Sequence, residues 1–384
     1  MKRCIGLVTT ARSEWGIQRP VAEALRDRND VDLHIIAGGM HLSQAFDHTI
    51  DQIVADGFEI AHQLDYLQVG DTPECIASSM GKGVVSFAKL FGRWRPDLLT
   101  VLGDRFDMYP AVVAATPFLI PIAHMHGGEV TLGAFDDSLR HSMTKMSHLH
   151  LVSTETYARR VRQLGEDPRY IHVVGAPGLD DLSRLDPADD NILEREYGFV
   201  PGQTNVLVIH HPETRAWEST GHDAEELFTA LKSLDANFVI IRPNADTANS
   251  AIQNAITEFC QGNERARTPV ILDRRLFLSV MRAAAVMIGN SSAGIVEAPS
   301  FRIPVVNIGQ RQAGRVRAQN VIDCPAEAGA IRVAIEKALS PVFKASLAKM
   351  RNPYGDGQSA ERIADILATF PLDRELMAKR FIDF

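Results

Sequence analysis

The feature that most constrains the fold is an alternation of short apolar stretches with longer helical patterns, which runs through the chain twice. In the first half, CIGLVTT, VDLHIIAG, DLLTVLG, IPIAHMH and LHLVST alternate with helix-period stretches such as IQRPVAEALRD. Continuous apolar strands between helices predict a parallel sheet that is covered on both faces. The alternation restarts at TNVLVIHH and continues to IPVVNIG. The sequence therefore predicts an α/β protein with two doubly wound parallel sheets.

A break between the two series lies at HVVGAPGLDDLSRLD, residues 172–186, where Gly175, Pro177 and Gly178 stand close together. Such clusters of glycine and proline interrupt regular elements and indicate a hinge. The length of 384 residues also suits two domains of ordinary size. We expect a first Rossmann-like domain over residues 1–175 and a second over 176–384, with the ligand in the cleft between them.

Composition excludes several classes of protein. The 40 basic and 48 acidic residues give a net charge of −8, which argues against a general nucleic-acid binder. No apolar run approaches the roughly 20 residues that span a bilayer, and the apolar part of MKRCIGLVTT is too short for a signal peptide. The four cysteines form no CxxC pair. We therefore expect a cytoplasmic enzyme with reduced thiols and no nucleic-acid or membrane partner.

Polar residues follow the predicted strands of the first half. Arg12 and Ser13 come after the first strand and enter a helix, whose exposed N–H groups suit a phosphate. The alternative is an ordinary serine N-cap beside a surface arginine. Asp104 and Arg105 follow DLLTVLG. Because ligands of doubly wound sheets bind at the carboxyl ends of strands, these residues are candidates for the site.

The segment AHMHGGEVTLGAFDDSLRH is the richest in chemistry; it contains three histidines, one glutamate and two aspartates, which are His124, His126, His141, Glu129, Asp136 and Asp137. It contains neither HExxH nor a Cys/His zinc pattern, so we predict no metal. His124 and His141 are compatible with hydrogen-bonded core histidines. Asp104, Glu129 and Asp136 come from three separate loops at one sheet edge. Carboxylates so placed can hold pKa values pushed apart, as acid–base chemistry requires.

The second half offers groups for an anion. Ser291 and Ser292 open a helix in IGNSSAGIVEAPS, which predicts a diphosphate cradle. Glu297 suits ribose hydroxyls; the alternative is a serine cap with a buried glutamate that is paired elsewhere. The remaining polar residues at predicted strand ends are His210 and His211, Asn244 and Asp246, and Arg311, Arg315 and Arg317. The three arginines form either a phosphate clamp or a solvated basic patch.

Eight stretches together resemble one enzyme family: TTARSEWG, AGGMHLS, VLGDRFDM, IPIAHMHGGEVTLGAFDDSLRHSMTKMSHLHLVST, HHPET, IGNSSAGIVEAPS, NIGQRQAGRVR and NPYGDG. They are similar to the hydrolysing UDP-N-acetylglucosamine 2-epimerases of bacterial sialic-acid synthesis and to relatives that act on a 2,4-diacetamido-6-deoxy sugar for legionaminic acid. The resemblance covers about residues 3–370. It implies a GT-B-like pair of Rossmann-type domains, with a last helix at about 356–370 that packs on the first domain.

The resemblance implies elimination of UDP from a UDP-2-acetamido sugar to give a 2-acetamidoglycal, followed by addition of water. It also implies a reaction that needs no metal or cofactor, and an enzyme that is a homodimer or homotetramer as its relatives are. Carried over by matching stretch, the catalytic residues are Asp104, Glu129, Asp136 and His211. The implied substrate-binding residues are Arg12, Ser13, Arg105, His126, Asn244, Ser291, Ser292, Glu297 and Arg311.

One departure from the family concerns His126, because some relatives carry glutamate at this position. Either His126 takes over that role or Glu129 does, and we favour Glu129. The leading substrate is UDP-N-acetylglucosamine, with the 2,4-diacetamido-6-deoxy sugar as the alternative. More distant alternatives are a GT-B glycosyltransferase, a non-catalytic sugar-nucleotide sensor and a metal-dependent phosphodiesterase.

Overall fold

The computed structural model describes residues 2–131, 135–183, 185–213, 217–243, 249–269 and 273–383. Contacts divide the chain into two compact units. Unit 1 comprises Met1–Glu129, Asp136–Asp180 and Tyr354–Phe384, and unit 2 comprises Val130–Phe135 and Asp181–Pro353. The chain leaves unit 1 after Asp180. The residues from Tyr354 onward, which include the helix expected at about 356–370, belong to unit 1.

Each unit contains one sheet, and every pair of neighbouring strands in the described residues is parallel. The strands of unit 1 are β1 (Arg3–Thr9), β2 (Val31–Gly38), β3 (Ile60–Leu64), β4 (Leu98–Leu102), β5 (Ile122–Met125), β6 (Leu149–Val152) and β7 (Ile171–Val173). Those of unit 2 are β8 (Asn205–Ile209), β9 (Asn237–Ile241), β10 (Ala266–Arg267), β11 (Val286–Gly289), β12 (Val305–Ile308) and β13 (Val321–Cys324).

Helices connect the strands, as parallel pairing requires. They are α1 (Arg12–Arg26), α2 (Ile50–Ala55), α3 (Pro73–Phe91), α4 (Tyr109–Ala115), α5 (Asp136–Met146), α6 (Glu155–Gln163), α7 (Asp180–Ser183), α8 (Asp190–Tyr197), α9 (Thr220–Leu231), α10 (Asn249–Gln261), α11 (Arg274–Ala283), α12 (Ala293–Val296), α13 (Ala298–Phe301), α14 (Ala328–Leu339), α15 (Pro341–Ser346), α16 (Ser359–Thr369) and α17 (Arg374–Met377). Within the described residues, none of them combines the length and apolar character that crossing a bilayer requires.

Both faces of each sheet carry a hydrophobic core, which is why the central strands are continuously apolar. In β1, Ile5 and Leu7 pack in a cluster with residues of α1 and α16, whereas Val8 points the other way and packs with residues of α3 and α4. In β8, the adjacent residues Val208 and Ile209 likewise belong to two different hydrophobic clusters. Side chains alternate between faces along a strand, so both faces must be covered. The predicted α/β architecture with two doubly wound sheets is confirmed.

The strand orders locate the functional edges. Unit 1 has the order β3-β2-β1-β4-β5-β6-β7 and unit 2 the order β10-β9-β8-β11-β12-β13. The direction of winding reverses between β1 and β4 in unit 1 and between β8 and β11 in unit 2. At such switch points the loops beyond the carboxyl ends of the strands separate and leave room for a ligand. We therefore look for the site in the loops that follow β1, β4, β8 and β11.

Candidate functional site

Arg12 begins α1 directly beyond β1, at the switch point of unit 1. The N-cap of this helix is Ala11, whose side chain cannot accept a hydrogen bond, and Ser13 is exposed. The ordinary serine cap considered from the sequence is therefore not what the structure shows. One guanidinium nitrogen of Arg12, Nη1, is buried and has no hydrogen-bond partner among the described residues. A buried cationic donor of this kind suits an anionic group of a ligand.

Glu14 reaches back from the first turn of α1 to Thr10, the residue before the N-cap. Its Oε2 accepts hydrogen bonds from the backbone N–H of Thr10 at 3.0 Å and from the Thr10 hydroxyl at 2.6 Å. Burial, and secondarily the charge of Asp107, raises the pKa of Glu14 to about 8. Asp107 in turn accepts a hydrogen bond from Nε of Arg105 at 3.0 Å. Arg105 is buried and makes this bond inside unit 1, although the sequence analysis placed it at the substrate.

Glu14 should make the stability of the protein depend on pH. The carboxyl is protonated in the folded protein up to about pH 8 but only up to about 4.5 in the unfolded chain. Folding therefore binds a proton between these values, and its contribution to stability is lost as the pH rises through this window. We expect Glu14→Gln to flatten the fall in thermal unfolding midpoint between pH 5 and 8. Glu23→Gln, on the same helix but partly exposed, is the control and should retain the wild-type slope.

His126 and Glu129 form a hydrogen-bonded pair in the loop after β5. Nδ1 of His126 lies 2.8 Å from Oε1 of Glu129, which also accepts a hydrogen bond from the Ser153 hydroxyl at 3.3 Å. Glu129 is 1% exposed. Among the described residues, Nε2 of His126 is buried without a hydrogen-bond partner. A carboxylate that holds Nδ1–H leaves Nε2 as the basic nitrogen, so the pair has the geometry of an oriented general base.

A left-handed backbone places the His126 ring in this pair. His126 has φ 64°, and two glycines follow it, Gly127 and Gly128. Gly128 has φ 74°, and a Cβ there would lie 2.4 Å from the carbonyl oxygen of Tyr157. The HGG turn therefore needs glycine at position 128 to bring residues 126 and 129 together.

The carboxylates of Asp104 and Asp136 also lie at the carboxyl edge of unit 1. Asp104 follows β4 and forms an ion pair with Arg140, whose side chain is 2% exposed. Asp136 is the first residue of α5 and is half-buried, where the helix N-terminus favours a negative charge. Arg140, which the sequence analysis did not select, thus holds Asp104 against the helix that Asp136 begins.

His124 is a structural residue. Its Nε2 donates to the carbonyl oxygen of Gly103 at 2.7 Å, and its Nδ1 lies 3.1 Å from the Thr144 hydroxyl. Burial lowers its pKa to about 3, so the ring is neutral. Since both nitrogens are engaged, His124 offers no lone pair to a metal. Nε2 of His141 lies 3.6 Å from Oδ2 of Asp137. The His141 ring is half-buried, and burial lowers its pKa as well.

The switch point of unit 2 is built around Asn290. Its side chain accepts a hydrogen bond from the backbone N–H of His211 at 2.7 Å and donates to the carbonyl of the same residue at 2.8 Å. Gly289 just before it has φ 132°, and a Cβ there would lie 2.0 Å from the Ile209 carbonyl oxygen. These contacts fix His211, at the end of β8, beside the loop after β11. His210 is buried, which lowers its pKa to about 4.

Ser291, Ser292 and Arg311 present donors at the same edge. Ser291 Oγ accepts the Ala293 N–H at 3.3 Å, whereas the Ser292 side chain makes no capping hydrogen bond in the described residues. Nη1 of Arg311 donates to the carbonyl of Asn290 at 3.3 Å. Hydroxyl and guanidinium groups around one strand end form an anion-binding set. Of the other two arginines, Arg317 pairs with Asp323 and Arg315 donates to Thr131 at 3.3 Å.

Glu297 is paired within unit 2, as the alternative reading of the sequence allowed. It is buried, and its Oε1 lies 3.1 Å from Nη1 of Arg274. The rest of α11, the strand β11 and the helix α12 lie between Arg274 and Glu297 in the chain. No local sequence pattern therefore relates the two residues. Asn244 and Asp246, the other predicted residues of this half, lie outside the described residues.

The two sets of groups differ in chemistry. Unit 1 gathers a buried His–Glu pair and two aspartates, which move protons. Unit 2 gathers serine, arginine and histidine side chains, which bind anions. A fold with two Rossmann-type sheets that carry these groups at their switch points defines a class of enzyme that acts on nucleotide-linked substrates.

Comparison with known proteins gives the family. The model of the UDP-N-acetylglucosamine 2-epimerase family matches residues 23–368. The chain is 34% identical to the UDP-N,N'-diacetylbacillosamine 2-epimerase (hydrolyzing) of Legionella pneumophila over 99% of both chains. It is 35% identical to the polysialic acid biosynthesis protein P7 of Escherichia coli, over 98% of this chain and 96% of that protein. The chain therefore belongs to the UDP-N-acetylglucosamine 2-epimerase family and is a UDP-sugar 2-epimerase.

Solved structures agree on the fold. The structure of the UDP-GlcNAc 2-epimerase from Neisseria meningitidis bound to UDP-GlcNAc matches with a TM-score of 0.81 at 19% identity, over 96% of this chain and 99% of that one. At this identity the similarity establishes the fold alone, which is the predicted GT-B-like α/β fold.

Proposed function

We propose that this enzyme is a hydrolysing 2-epimerase, which converts a UDP-2-acetamido sugar and water into UDP and the free sugar with inverted C2. In the first step a base removes the C2 proton, and the C1–O bond to the diphosphate breaks to leave a 2-acetamidoglycal. In the second step water adds hydroxyl to C1, and a proton returns to C2 on the opposite face. The word "hydrolyzing" in the names of the Legionella relative and of a Campylobacter jejuni relative at 36% identity supports this reaction.

The observation that carries the proposal is the His126–Glu129 pair. Glu129 is almost fully buried and contacts His126, so the group free to reach a substrate is Nε2 of His126. We assign His126 as a proton-transfer group and Glu129 as the residue that orients it. This assignment differs from our sequence-based preference for Glu129 as the reacting group. Asp104 and Asp136 supply the second proton transfer, on the other face of the sugar ring.

The leaving UDP needs compensation for the charge that develops on its phosphate oxygen. We assign this role to His211, Ser291, Ser292 and Arg311, because their donors lie around the ends of β8, β11 and β12 in unit 2. The buried Nη1 of Arg12 offers a further donor from unit 1.

For the sugar, we propose UDP-N,N'-diacetylbacillosamine, in preference to the UDP-N-acetylglucosamine that led our sequence-based hypotheses. The Legionella relative, named for this substrate, is 34% identical to the chain, and the Campylobacter relative, named for GDP/UDP-N,N'-diacetylbacillosamine, is 36% identical. The UDP-N-acetylglucosamine 2-epimerase of Neisseria meningitidis is 29% identical. The two sugars differ at C4 and C6, and a few side chains suffice for such discrimination. UDP-N-acetylglucosamine is the second candidate, because the Neisseria enzyme aligns with all of this chain.

Proton NMR in D2O tests both parts of the proposal. The purified enzyme is incubated with each UDP-sugar in parallel, with and without EDTA. We expect free UDP and a mannose-configured sugar that carries deuterium at C2, formed faster from the diacetamido substrate. Interconversion of UDP-linked epimers without release of UDP would overturn the hydrolysing mechanism. Unchanged sugars would favour a sensor, and release that requires an acceptor would favour a glycosyltransferase.

Gly309→Ala should weaken UDP binding through Glu213. Oε1 of Glu213 accepts the backbone N–H groups of Gln310 at 2.7 Å and Arg311 at 3.1 Å. A Cβ on Gly309, which has φ 76°, would lie 2.1 Å from that oxygen. Displacement of Glu213 releases both N–H groups and shifts Arg311, so we expect UDP affinity to fall roughly tenfold, about 1.4 kcal/mol.

Isothermal titration with UDP measures this effect. Gly329→Ala is the matched control, because nothing lies within 4 Å of a Cβ at that helical position in unit 2. It should bind UDP as the wild type does. Equal affinity of Gly309→Ala and the wild type would remove Arg311 from the UDP site.

A further inference from the structure

Three side chains with metal-ligating atoms meet at the amino edge of the unit 1 sheet, the edge opposite to the catalytic groups. Cys4 is the second residue of β1, and Asp32 and His34 lie in β2. The register pairs Cys4 with Asp32, and His34 follows two residues later, so all three point to one face of the sheet. Their sulfur, oxygen and nitrogen atoms lie within 4.8 Å of one another.

This set of donors matches the preferences of Zn²⁺. Thiolate, imidazole and carboxylate are its usual protein ligands, in tetrahedral geometry at about 2.0–2.3 Å from the ion. Ligand atoms around such an ion are separated by about 3.3–3.6 Å. Nε2 of His34 lies 3.1 Å from Oδ2 of Asp32, close to this spacing. The negative charges of the Cys4 thiolate and Asp32 would together balance the charge of the ion.

The surroundings hold the ligands and leave them accessible. The His34 ring packs against Trp94, with ring centroids 5.1 Å apart, and the ring centroid of His62 lies 4.5 Å from that of Trp94. The side chains of Asp32 and His34 are 61% and 27% exposed, so a cation and a fourth, water ligand can enter. The backbone N–H of Cys4 donates to Asp97 at 2.8 Å, which places a second carboxylate beside the thiol.

We propose that Cys4, Asp32 and His34 form a Zn²⁺ site that ties β1 to β2. The thiol releases its proton to solvent on binding, because only the thiolate coordinates the ion. The site is separate from catalysis, since the five residue-to-residue steps of β1 from Cys4 to Thr9 span roughly 16 Å.

Cobalt substitution tests the site in the full-length protein. After removal of metals with a chelator and dialysis, the protein is titrated with Co²⁺ and followed by visible and near-ultraviolet absorption. We expect one equivalent to give a thiolate-to-cobalt charge-transfer band and intense d–d bands of tetrahedral Co²⁺, both abolished by Zn²⁺. Cys4→Ser and His34→Gln should lose the charge-transfer band and the tetrahedral spectrum, respectively. Cys75→Ser, at another half-buried cysteine of unit 1, should keep both.

Stability gives an independent readout. Zn²⁺ should raise the thermal unfolding midpoint of the wild type and of Cys75→Ser but not of Asp32→Asn. The side chain of Asp32 is exposed, so we expect Asp32→Asn to fold as the wild type does. Turnover of UDP-sugar should be the same with and without Zn²⁺, so failure of this proposal is separable from failure of the proposed reaction. Absence of a charge-transfer band in the wild type, or its persistence in Cys4→Ser, would overturn the site.

Discussion

Replacement of His126 by asparagine should lower kcat roughly 10²- to 10⁴-fold, the usual contribution of a positioned acid or base. Affinity for UDP should be unchanged, because His126 is not among the residues that we assign to the nucleotide. Asparagine is the suitable replacement, since it tolerates the left-handed backbone of this position, where φ is 64°. Release of UDP and incorporation of deuterium at C2 measure the effect, and both should fall together.

Two further variants make this test specific. His48→Asn is the matched control, because His48 has φ 47° and lies at the surface of unit 1, so the same substitution there should keep full turnover. Glu129→Gln removes the charge but leaves an oxygen that can accept the Nδ1–H of His126. If His126 is the reacting group, Glu129→Gln retains more activity than His126→Asn. The reverse order would make Glu129 itself the base, as we first inferred from the sequence.

Asp104→Asn should separate chemistry from binding. We expect UDP to bind with wild-type affinity in calorimetry while kcat falls roughly 10²-fold or more, because the amide can neither accept nor return a proton. The free energy of unfolding should also fall, by about 1.5–3 kcal/mol, since the buried guanidinium of Arg140 then faces an uncharged group. Chemical denaturation measures this part of the effect.

Asp56→Asn is the control for Asp104→Asn. Asp56 is half-buried and accepts a hydrogen bond from Nε1 of Trp15 at 2.7 Å, so its replacement also removes one charge from a partly buried hydrogen bond. It should keep full turnover. Full turnover of Asp104→Asn would exclude Asp104 from the reaction and leave Asp136 and His126 as the proton-transfer groups.

The central strands were predictable because burial on both faces forces continuous apolar sequence. All residues of β4 and β8 are buried, and both strands were identified from the sequence. The edge strand β3, IAHQL, was missed because its residues are only partly buried and polar ones are tolerated there. β7 has three residues, and the last two of them belong to the segment that we interpreted as a hinge. Edge strands are specified by their neighbour in the sheet, which a local pattern does not report.

The sequence predicts those polar side chains of the candidate site that directly follow a strand. It does not predict the partners that these side chains find in distant parts of the chain. The loops after β1, β4, β5, β8 and β11, which we selected from the sequence, carry polar groups in the structure. The partners of these groups were not selected, because Arg140, Arg274 and Glu213 each come from another loop or helix. Glu14 could have been found, since a carboxylate four residues after a threonine at a helix start can reach back to its N–H.

The amino-edge cluster of Cys4, Asp32 and His34 shows the same limit. The sequence contains neither a CxxC pair nor histidines at a zinc-site spacing, and we therefore predicted no metal. The cluster is formed by the register of two neighbouring strands that are separated by a helix in the chain. Only the pairing of β1 with β2 brings these residues together.

The return of the chain to unit 1 has a consequence for biosynthesis. Ile363, Ala364 and Leu367 of α16 belong to the same hydrophobic cluster as Ile5 and Leu7 of β1. Asp180 accepts the backbone N–H groups of Ser359 and Ala360, which anchors the start of that helix. While the ribosome is still synthesising unit 2, one face of the first sheet therefore lacks part of its cover. The residues of β1 complete their packing only after α16 has been synthesised, and during that interval chaperones have an exposed apolar surface to bind.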